Sequence, residues 1–263
     1  MVVSLSALER KEYIVNKIHL EGKIRSDELV DTLQVSFETI RRTLEELEKE
    51  NKLKRVYGGA VKLTLGRMEP GVAQREHLFA PEKDKIGRAC AGLVQDYDVI
   101  FIDDGTTTLQ MIHYLTNVKQ LKVITNSLPA VQLLQQYKNR GMLDAEIIFL
   151  GGVVNSEQDR VTGVLAERML DFFHADKAFI SIDGIQLKMG ITGYEAERGS
   201  LTRKFIERSE QTVIVTDRSK IGEVKMYKIA DIREVDMIIC DIELPEAWAK
   251  TLESYDTSWI QAK

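Results

Sequence analysis

Between residues 99 and 240 the chain repeats one pattern: a short unbroken apolar run, usually closed by small and polar residues. The runs are Val99-Ile100-Phe101-Ile102, Val123-Ile124, Ile147-Ile148-Phe149-Leu150, Ala178-Phe179-Ile180-Ser181-Ile182, Val213-Ile214-Val215 and Met237-Ile238-Ile239-Cys240. A strand with no polar alternation is buried on both faces, which a helix-covered parallel sheet achieves. Helical stretches separate the runs, beginning with the apolar spacing of Ile86 to Val94. Strand and helix in alternation predict an α/β domain, Rossmann-like, with a mostly parallel sheet covered by helices.

The polar closures fall where the strands should end at their carboxyl tips. They are Asp103-Asp104-Gly105-Thr106-Thr107-Thr108, Thr125-Asn126-Ser127, Gly151-Gly152, Asp183-Gly184 and Asp217-Arg218-Ser219-Lys220. Open α/β sheets bind ligands at that edge. Any one cluster reads as a turn before it reads as a site; five on successive strand ends read as a pocket. A glycine followed by hydroxyl residues at a helix start offers amides, hydroxyls and a positive dipole end to a phosphate. The segment is neither a Walker loop nor a G-x-G-x-x-G turn, so no dinucleotide and no other cofactor is expected.

Charge divides the 263 residues unevenly. Residues 1–67 hold 13 Lys and Arg against 11 Asp and Glu; the remainder holds 23 against 30, within a net charge of −5. Lys52, Lys54, Arg55, Lys62 and Arg67 occur between 51 and 67 with no acid among them. A polyanion is drawn to that end and repelled by the rest.

That basic end has its own plan. Ser6 and Glu9 fit a capping box, and the helix behind them turns Leu8, Tyr13, Ile14, Val15 and Ile18 to a core until Gly22 ends it. Ser26 opens a short helix with Asp27 and Glu28 near its positive end. After Gln34-Val35, Ser36 caps a third helix, with Ile40, Leu44 and Leu47 along its apolar face. Arg41 and Arg42 project from other faces. Two helices across a tight turn at about 24–43 form a helix-turn-helix, whose second helix is a major-groove reader. Leu53 to Leu63, broken at Gly58-Gly59, predicts a hairpin. Placed after the reader it is a wing, at about 53–63, that brings Lys54, Arg55 and Lys62 to phosphate.

These motifs resemble the DeoR family of bacterial transcription regulators, whose signature is VS-x-x-T-[IV]-R-R-D-L-x-x-L-E followed by R-x-x-G-G-A. Here stand Val35-Ser36, Thr39-Ile40-Arg41-Arg42, Leu44, Leu47-Glu48, Arg55 and Gly58-Gly59-Ala60, with Thr43 in place of the usual Asp. The resemblance implies that Ser36, Phe37, Thr39, Arg41 and Arg42 face double-stranded operator DNA. Phe37 and Glu38 occupy its variable positions. Guanine contacts by arginine carry specificity, and wing contacts to phosphate carry affinity and salt dependence. The strand-end clusters are similar to the family's sensor domain, which resembles sugar-phosphate isomerases and typically answers to phosphorylated sugars. By that likeness Gly105, Thr106 and Thr107 hold phosphate and Lys220 supplies charge. Asp103 and Asp183 hold sugar hydroxyls, and Asn126, Gly151, Gly152 and Glu195 belong to the pocket. Asp104 departs from the small residue usual there, and is expected to turn away or to pair with Lys220.

The expected organisation is a winged helix-turn-helix over 1–63, a linker over 64–81 and an effector-sensing, oligomerisation domain over 82–263. The linker rests on Gly66, Pro70, Gly71 and Pro81 and on lost periodicity. Arg75, Glu76, Glu82 and Lys83 read individually as solvated charges. Four isolated histidines offer no metal spacing, and Cys90 and Cys240 read as core residues of a reducing compartment. No apolar run approaches a membrane span, and Met1–Lys11 lacks a signal core, so a cytoplasmic protein is expected. Trp248 and Trp259 read as packing residues of a last helix and tail. The leading expectation is a repressor of sugar-metabolism genes, a dimer or tetramer released by a sugar phosphate, with no catalytic residues. The alternatives are an isomerase or deaminase using Asp103, Asp104, Asp183 and Glu195 as acid or base, and a ligand-dependent activator.

Overall fold

Capping and apolar spacing shape the front of the chain as the sequence implies. In the computed structural model, which describes residues 6–50, 52–61 and 69–263, helix α1 (Ala7–Glu21) starts at a complete Ser6–Glu9 capping box and stops at left-handed Gly22. Strand β1 (Lys23–Arg25), α2 (Ser26–Leu33), α3 (Phe37–Lys49), β2 (Lys54–Val56) and β3 (Gly59–Val61) follow. Ile14, Ile18, Leu29, Ile40, Leu44, Leu47 and Leu53 form one buried core. The wing has three strands, in the order β1-β3-β2. Its added strand, β1, was not foreseen, because three residues with one buried side chain carry no period. Gly59 is required by that strand: a Cβ there would lie 2.0 Å from the Ile24 carbonyl oxygen.

The chain divides into two compact units, one ending at Pro70 and one beginning at Gly71. Residues 71–81, expected as linker, are instead the start of the second unit. They hold α4 (Val72–His77) and the first residues of α5 (Ala80–Ala91). The Val72 amide donates to the Glu157 carbonyl, which ties α4 down.

The second unit then alternates. Strand β4 (Val99–Ile102) leads to the single turn α6 (Thr108–Met111), then β5 (Leu121–Thr125), α7 (Leu128–Asn139) and β6 (Ala145–Phe149). A hairpin, β7 (Val153–Asn155) and β8 (Arg160–Thr162), precedes α8 (Val164–Leu170) and β9 (Ala175–Ser181). After β10 (Gly184–Gln186) and β11 (Gly190–Gly193) come α9 (Ala196–Glu207), β12 (Ser209–Val215), β13 (Tyr227–Ala230) and β14 (Met237–Cys240). The chain closes with α10 (Glu246–Tyr255) and β15 (Ser258–Gln261).

Seven strands make one sheet in the order β15-β14-β12-β9-β4-β5-β6, and every neighbouring pair is parallel. Side chains of α8, α9 and α10 cover one face and those of α5, α6 and α7 the other. β15 corrects the tail expected around Trp259: that residue pairs with Ile238, and its indole stands edge-on to Trp248 at 6.1 Å between centroids. From β4 the chain winds outward one way through β5 and β6, then returns to β9 and winds the other way. The order reverses between β4 and β9, which is where an α/β sheet opens a crevice at its carboxyl edge.

Candidate functional site

The carboxyl edge at the β4–β9 reversal gathers most of the clusters expected there, but Asp104 sits among them as the centre of a buried ion-pair network. Its carboxylate accepts from Arg160 Nη1 at 3.1 Å, Arg198 Nε at 3.2 Å and Asn126 Nδ2 at 3.3 Å. It neither turns away nor pairs with Lys220: two buried guanidiniums neutralise it instead. Burial alone would raise its pKa, yet Arg198 and Arg160 overcome that penalty and hold the carboxyl well below the usual range.

Arg198 is the hub. It reaches Asp103 at 3.4 Å, Asp183 at 3.2 Å and the Ser181 carbonyl at 2.9 Å, joining the ends of β4 and β9. Asp103 also accepts from the Thr202 hydroxyl, and Asp183 from the Tyr194 amide. Burial, reinforced by the charge of Asp104, pushes the Asp103 carboxyl well above its ordinary pKa although Arg198 opposes this. Asp103 and Asp183, expected to hold sugar hydroxyls, each hold a nitrogen of Arg198 in the ligand-free chain. Glu195 differs: its side chain is partly exposed and meets Arg160 at 2.7 Å. Asn126 uses its amide nitrogen on Asp104 and the Val161 carbonyl, while its buried Oδ1 has no partner among the described residues. Buried acceptors are rarely left so, and a ligand hydroxyl there would satisfy it.

The Gly105–Thr107 turn faces a cationic group. Gly105 lies so close to β9 that a Cβ would sit 2.3 Å from Ser181 Oγ. The amides of Gly105, Thr106 and Thr107 donate to no group among the described residues. Since α6 is one turn long, those amides rather than a helix dipole are what the loop offers an anion. Thr106 Oγ1 accepts from Lys83 Nζ at 2.8 Å, and the same ammonium donates to the Arg75 carbonyl at 2.6 Å. Lys83 is 4% exposed. Desolvation lowers its pKa to about 8, with Asp217 pulling upward and Lys220 and Arg75 pushing downward.

Arg75 and Lys83, read from sequence as solvated charges, are both buried, and Arg75 Nη2 donates to Gln158 at 2.6 Å. Arg160 and Arg198 were missed altogether. A signal existed: Arg198 shares the helical face of Leu201, Thr202 and Phe205, and Lys83 that of Ile86 and Cys90. A charge in register with an apolar stripe is a charge inside. Gly151 and Gly152, by contrast, are exposed; a Cβ on Gly152 would meet the Thr162 carbonyl oxygen at 2.6 Å, so close packing on β8 accounts for it.

In the first unit Ser36, Phe37, Glu38, Arg41 and Arg42 are exposed along α3, and Thr39 is half-buried. Ser36 caps α3, accepting from the Thr39 amide at 3.2 Å. The arginines are not idle. Arg41 makes a two-pronged pair with Glu38 at 2.6 and 2.9 Å, and Arg42 meets Glu46 at 3.2 Å. Glu38, itself exposed, is the partner of Arg41 in the DNA-free chain. Both are solvent-screened pairs of the kind that exchange partners readily. Thr43 is buried, bonded to the Thr39 carbonyl and to Arg10 of α1, so it serves the helix interface and not the arginines. On the wing Lys54 is exposed, Arg55 is half-buried with its amide on Glu48, and Tyr57 at the turn is wholly exposed. Lys62 lies outside the described residues.

A winged helix-turn-helix in one unit and an α/β sheet with a charged carboxyl edge in the other define a class, the two-domain DNA-binding regulators. Comparison with known proteins is more specific. A DeoR-like helix-turn-helix domain matches residues 10–64 and a DeoR C terminal sensor domain matches 79–242. The chain belongs to the DeoR family of transcription regulators. It is 36% identical over 245 residues to an uncharacterized HTH-type transcriptional regulator, YulB, of Bacillus subtilis (strain 168), covering 93% of each chain. It is 33% identical over 233 residues to the HTH-type transcriptional repressor GlcR of the same organism, covering 89% of this chain and 88% of that one. Ribose 5-phosphate isomerase A of Methanocaldococcus jannaschii is similar over 54% of this chain and 55% of its own, at 18% identity and a TM-score of 0.39, too slight a likeness to bear on function.

Proposed function

We propose that this regulator is a homo-oligomeric repressor of sugar-metabolism genes, released from its operator by a phosphorylated sugar bound at the β4–β9 crevice. One observation carries the ligand class. Lys83 is a buried ammonium whose hydrogen bonds go to a carbonyl and a hydroxyl, neither charged, beside a turn with three undonated amides. A cation held away from water without a hydrogen-bonded carboxylate is costly, and a phosphate seated on Gly105–Thr107 would offset that cost. Glu195 and the Asn126 carbonyl oxygen then face the hydroxyl-bearing end. Asp103, Asp104 and Asp183 are paired with Arg198 and Arg160, and Glu195 with Arg160, which favours a sensor over an isomerase that needs a free carboxylate base.

On DNA, α3 enters the major groove, where Arg41 and Arg42 exchange glutamate for guanine edges or phosphate while Phe37 meets apolar base surface. Wing residues Lys54, Arg55 and Lys62 take backbone phosphate. Ligand releases the operator by preferring a subunit arrangement that no longer matches the half-sites. The test pairs a thermal-shift screen of sugar phosphates with gel shifts on the chain's own upstream DNA. A hit that weakens DNA binding supports the scheme; a hit that tightens it identifies an activator, and turnover of the hit identifies an enzyme.

A further inference from the structure

Within the six-residue helix α4, Arg75 is the buried side chain, while Ala73, Gln74, Glu76 and His77 are exposed. So short a helix, with no side-chain cap at Gly71, does not stand by itself, and it has little apolar surface to bury. Hydrogen bonds fasten it instead. The Val72 amide donates to the Glu157 carbonyl at 3.2 Å, and Arg75 Nη2 donates to Gln158 Oε1 at 2.6 Å. Lys83 Nζ donates to the Arg75 carbonyl at 2.6 Å. Leu78 and Phe79, each 7% exposed, anchor the chain only where the helix has ended.

These fastenings converge on the Gly105–Thr107 turn and its neighbours. Lys83 Nζ also donates to Thr106 Oγ1 at 2.8 Å. An ammonium has three protons; two are used here, and the third has no acceptor among the described residues. Glu157 and Gln158 sit in a turn fixed by Asn155 Oδ1, which accepts from their amides at 3.1 and 3.2 Å. Two residues further on, Arg160 meets Asp104 at 3.1 Å and Glu195 at 2.7 Å. Segments held by few buried apolar contacts open at low free energy. This one is the first element past the boundary between the two units.

We infer that α4 is the switch segment of this regulator: ligand fastens it, and operator DNA is bound by the form in which it is loose. The inference rests on the reading that a phosphate seats on Gly105–Thr107. Such a phosphate accepts the third proton of Lys83 and holds the ammonium in place, and with it the Arg75 carbonyl. When α4 lets go, Lys83 keeps Thr106 as its one acceptor, so a ligand that needs Lys83 in place binds the fastened form better. By linkage, ligand draws α4 onto the sensor unit, and whatever loosens α4 opposes release of the operator. Because α4 begins at the unit boundary, its fastening is the change that ligand hands on along the chain.

Hydrogen exchange on the full chain, read by mass spectrometry with inorganic phosphate as the probe, tests it. Phosphate at ten times its dissociation constant should slow exchange of the amides of residues 74–78 roughly tenfold and leave α10 unchanged; Lys83→Met should abolish the effect. Two variants loosen α4 without touching the phosphate loop. Val72→Pro removes the amide bonded to Glu157 and keeps the helix, because proline suits the first helical position and Gly71 already has the extended ψ, 151°, that precedes proline. Gln158→Leu removes the acceptor of Arg75 Nη2. In gel shifts on the chain's own upstream DNA, each should bind at least as tightly as wild type. Each should also need at least threefold more phosphate, or more of the sugar phosphate selected by the thermal-shift screen, for half-release. Variants released at the wild-type concentration overturn the switch and leave the ligand site standing, as does α4 exchange unmoved by a phosphate that shifts the melting profile. A chain whose melting neither phosphate nor any sugar phosphate shifts overturns the ligand site and the switch with it. Should the variants misfold, the wild-type exchange decides alone.

Discussion

If Lys83 grips the phosphate, ligand binding takes up a proton, and affinity falls with pH in a window set by that amine. Without ligand its pKa is lowered to about 8. A phosphate dianion beside it restores at least the ordinary value of about 10.4. By linkage the dissociation constant follows the ratio of the two titrations, and works out roughly tenfold weaker at pH 9 than at pH 7, with about 0.9 proton taken up at pH 9. The phosphate's own second ionisation, near pH 6, is complete below this window and does not blur it. The assay is calorimetry at pH 7, 8 and 9 with the strongest sugar phosphate from the screen, in Tris and in Bicine, whose ionisation heats differ. Lys83→Arg, charged throughout, should flatten the profile. Lys83→Met should lose most of the affinity and all of the uptake. A wild-type affinity that changes less than twofold from pH 7 to 9, with equal heats in both buffers, would refute the assignment of Lys83 to the phosphate.

Three further outcomes follow from the same geometry. The folded pKa of Lys83 lies below the unfolded one, so the unfolded chain holds more protons between about pH 8 and 10.4 and ligand-free stability rises with pH across that window. Lys83→Met should remove the penalty present below pH 8, on the order of 3 kcal/mol at most, and raise the urea midpoint at pH 7. Arg198→Ala leaves Asp103, Asp104 and Asp183 buried without their shared cation, and should cost about 3–5 kcal/mol of unfolding free energy in urea melts. On DNA, Arg42→Ala should lower operator affinity roughly tenfold or more in gel shifts with phosphate binding intact, whereas Lys54→Ala should reduce the slope of log affinity on log salt by about one; equal salt slopes would remove Lys54 from the phosphate contacts.

Why some residues were legible and others were not is visible at single positions. Ser6, Gly22 and Ser36 act within their own turn, so spacing alone announced their capping roles, and the reader helix and hairpin followed. The unbroken runs from Val99 to Cys240 announced a helix-covered parallel sheet because burial on both faces leaves no polar alternation. Short strands such as β1, β7 and β15 were invisible, since three or four residues set no period and their pairing comes from partners far along the chain. Residues 71–81 read as linker for the same reason: α4 is fastened by Glu157 and Gln158, more than 80 positions away.

The amino-acid sequence by itself determined the two units, the reader helix with its arginines, and the strand-end loops that meet at one edge, because each depends on local period or local chemistry. Only the tertiary structure decided who meets whom at that edge. Asp103 and Asp183 became supports for Arg198, Asp104 became its counter-ion with Arg160, and Lys83 became the buried cation of the Gly105–Thr107 turn. Such assignments depend on charges brought together over 15 to 95 residues of chain and stripped of water, where electrostatics is strong and sequence spacing carries no trace of it.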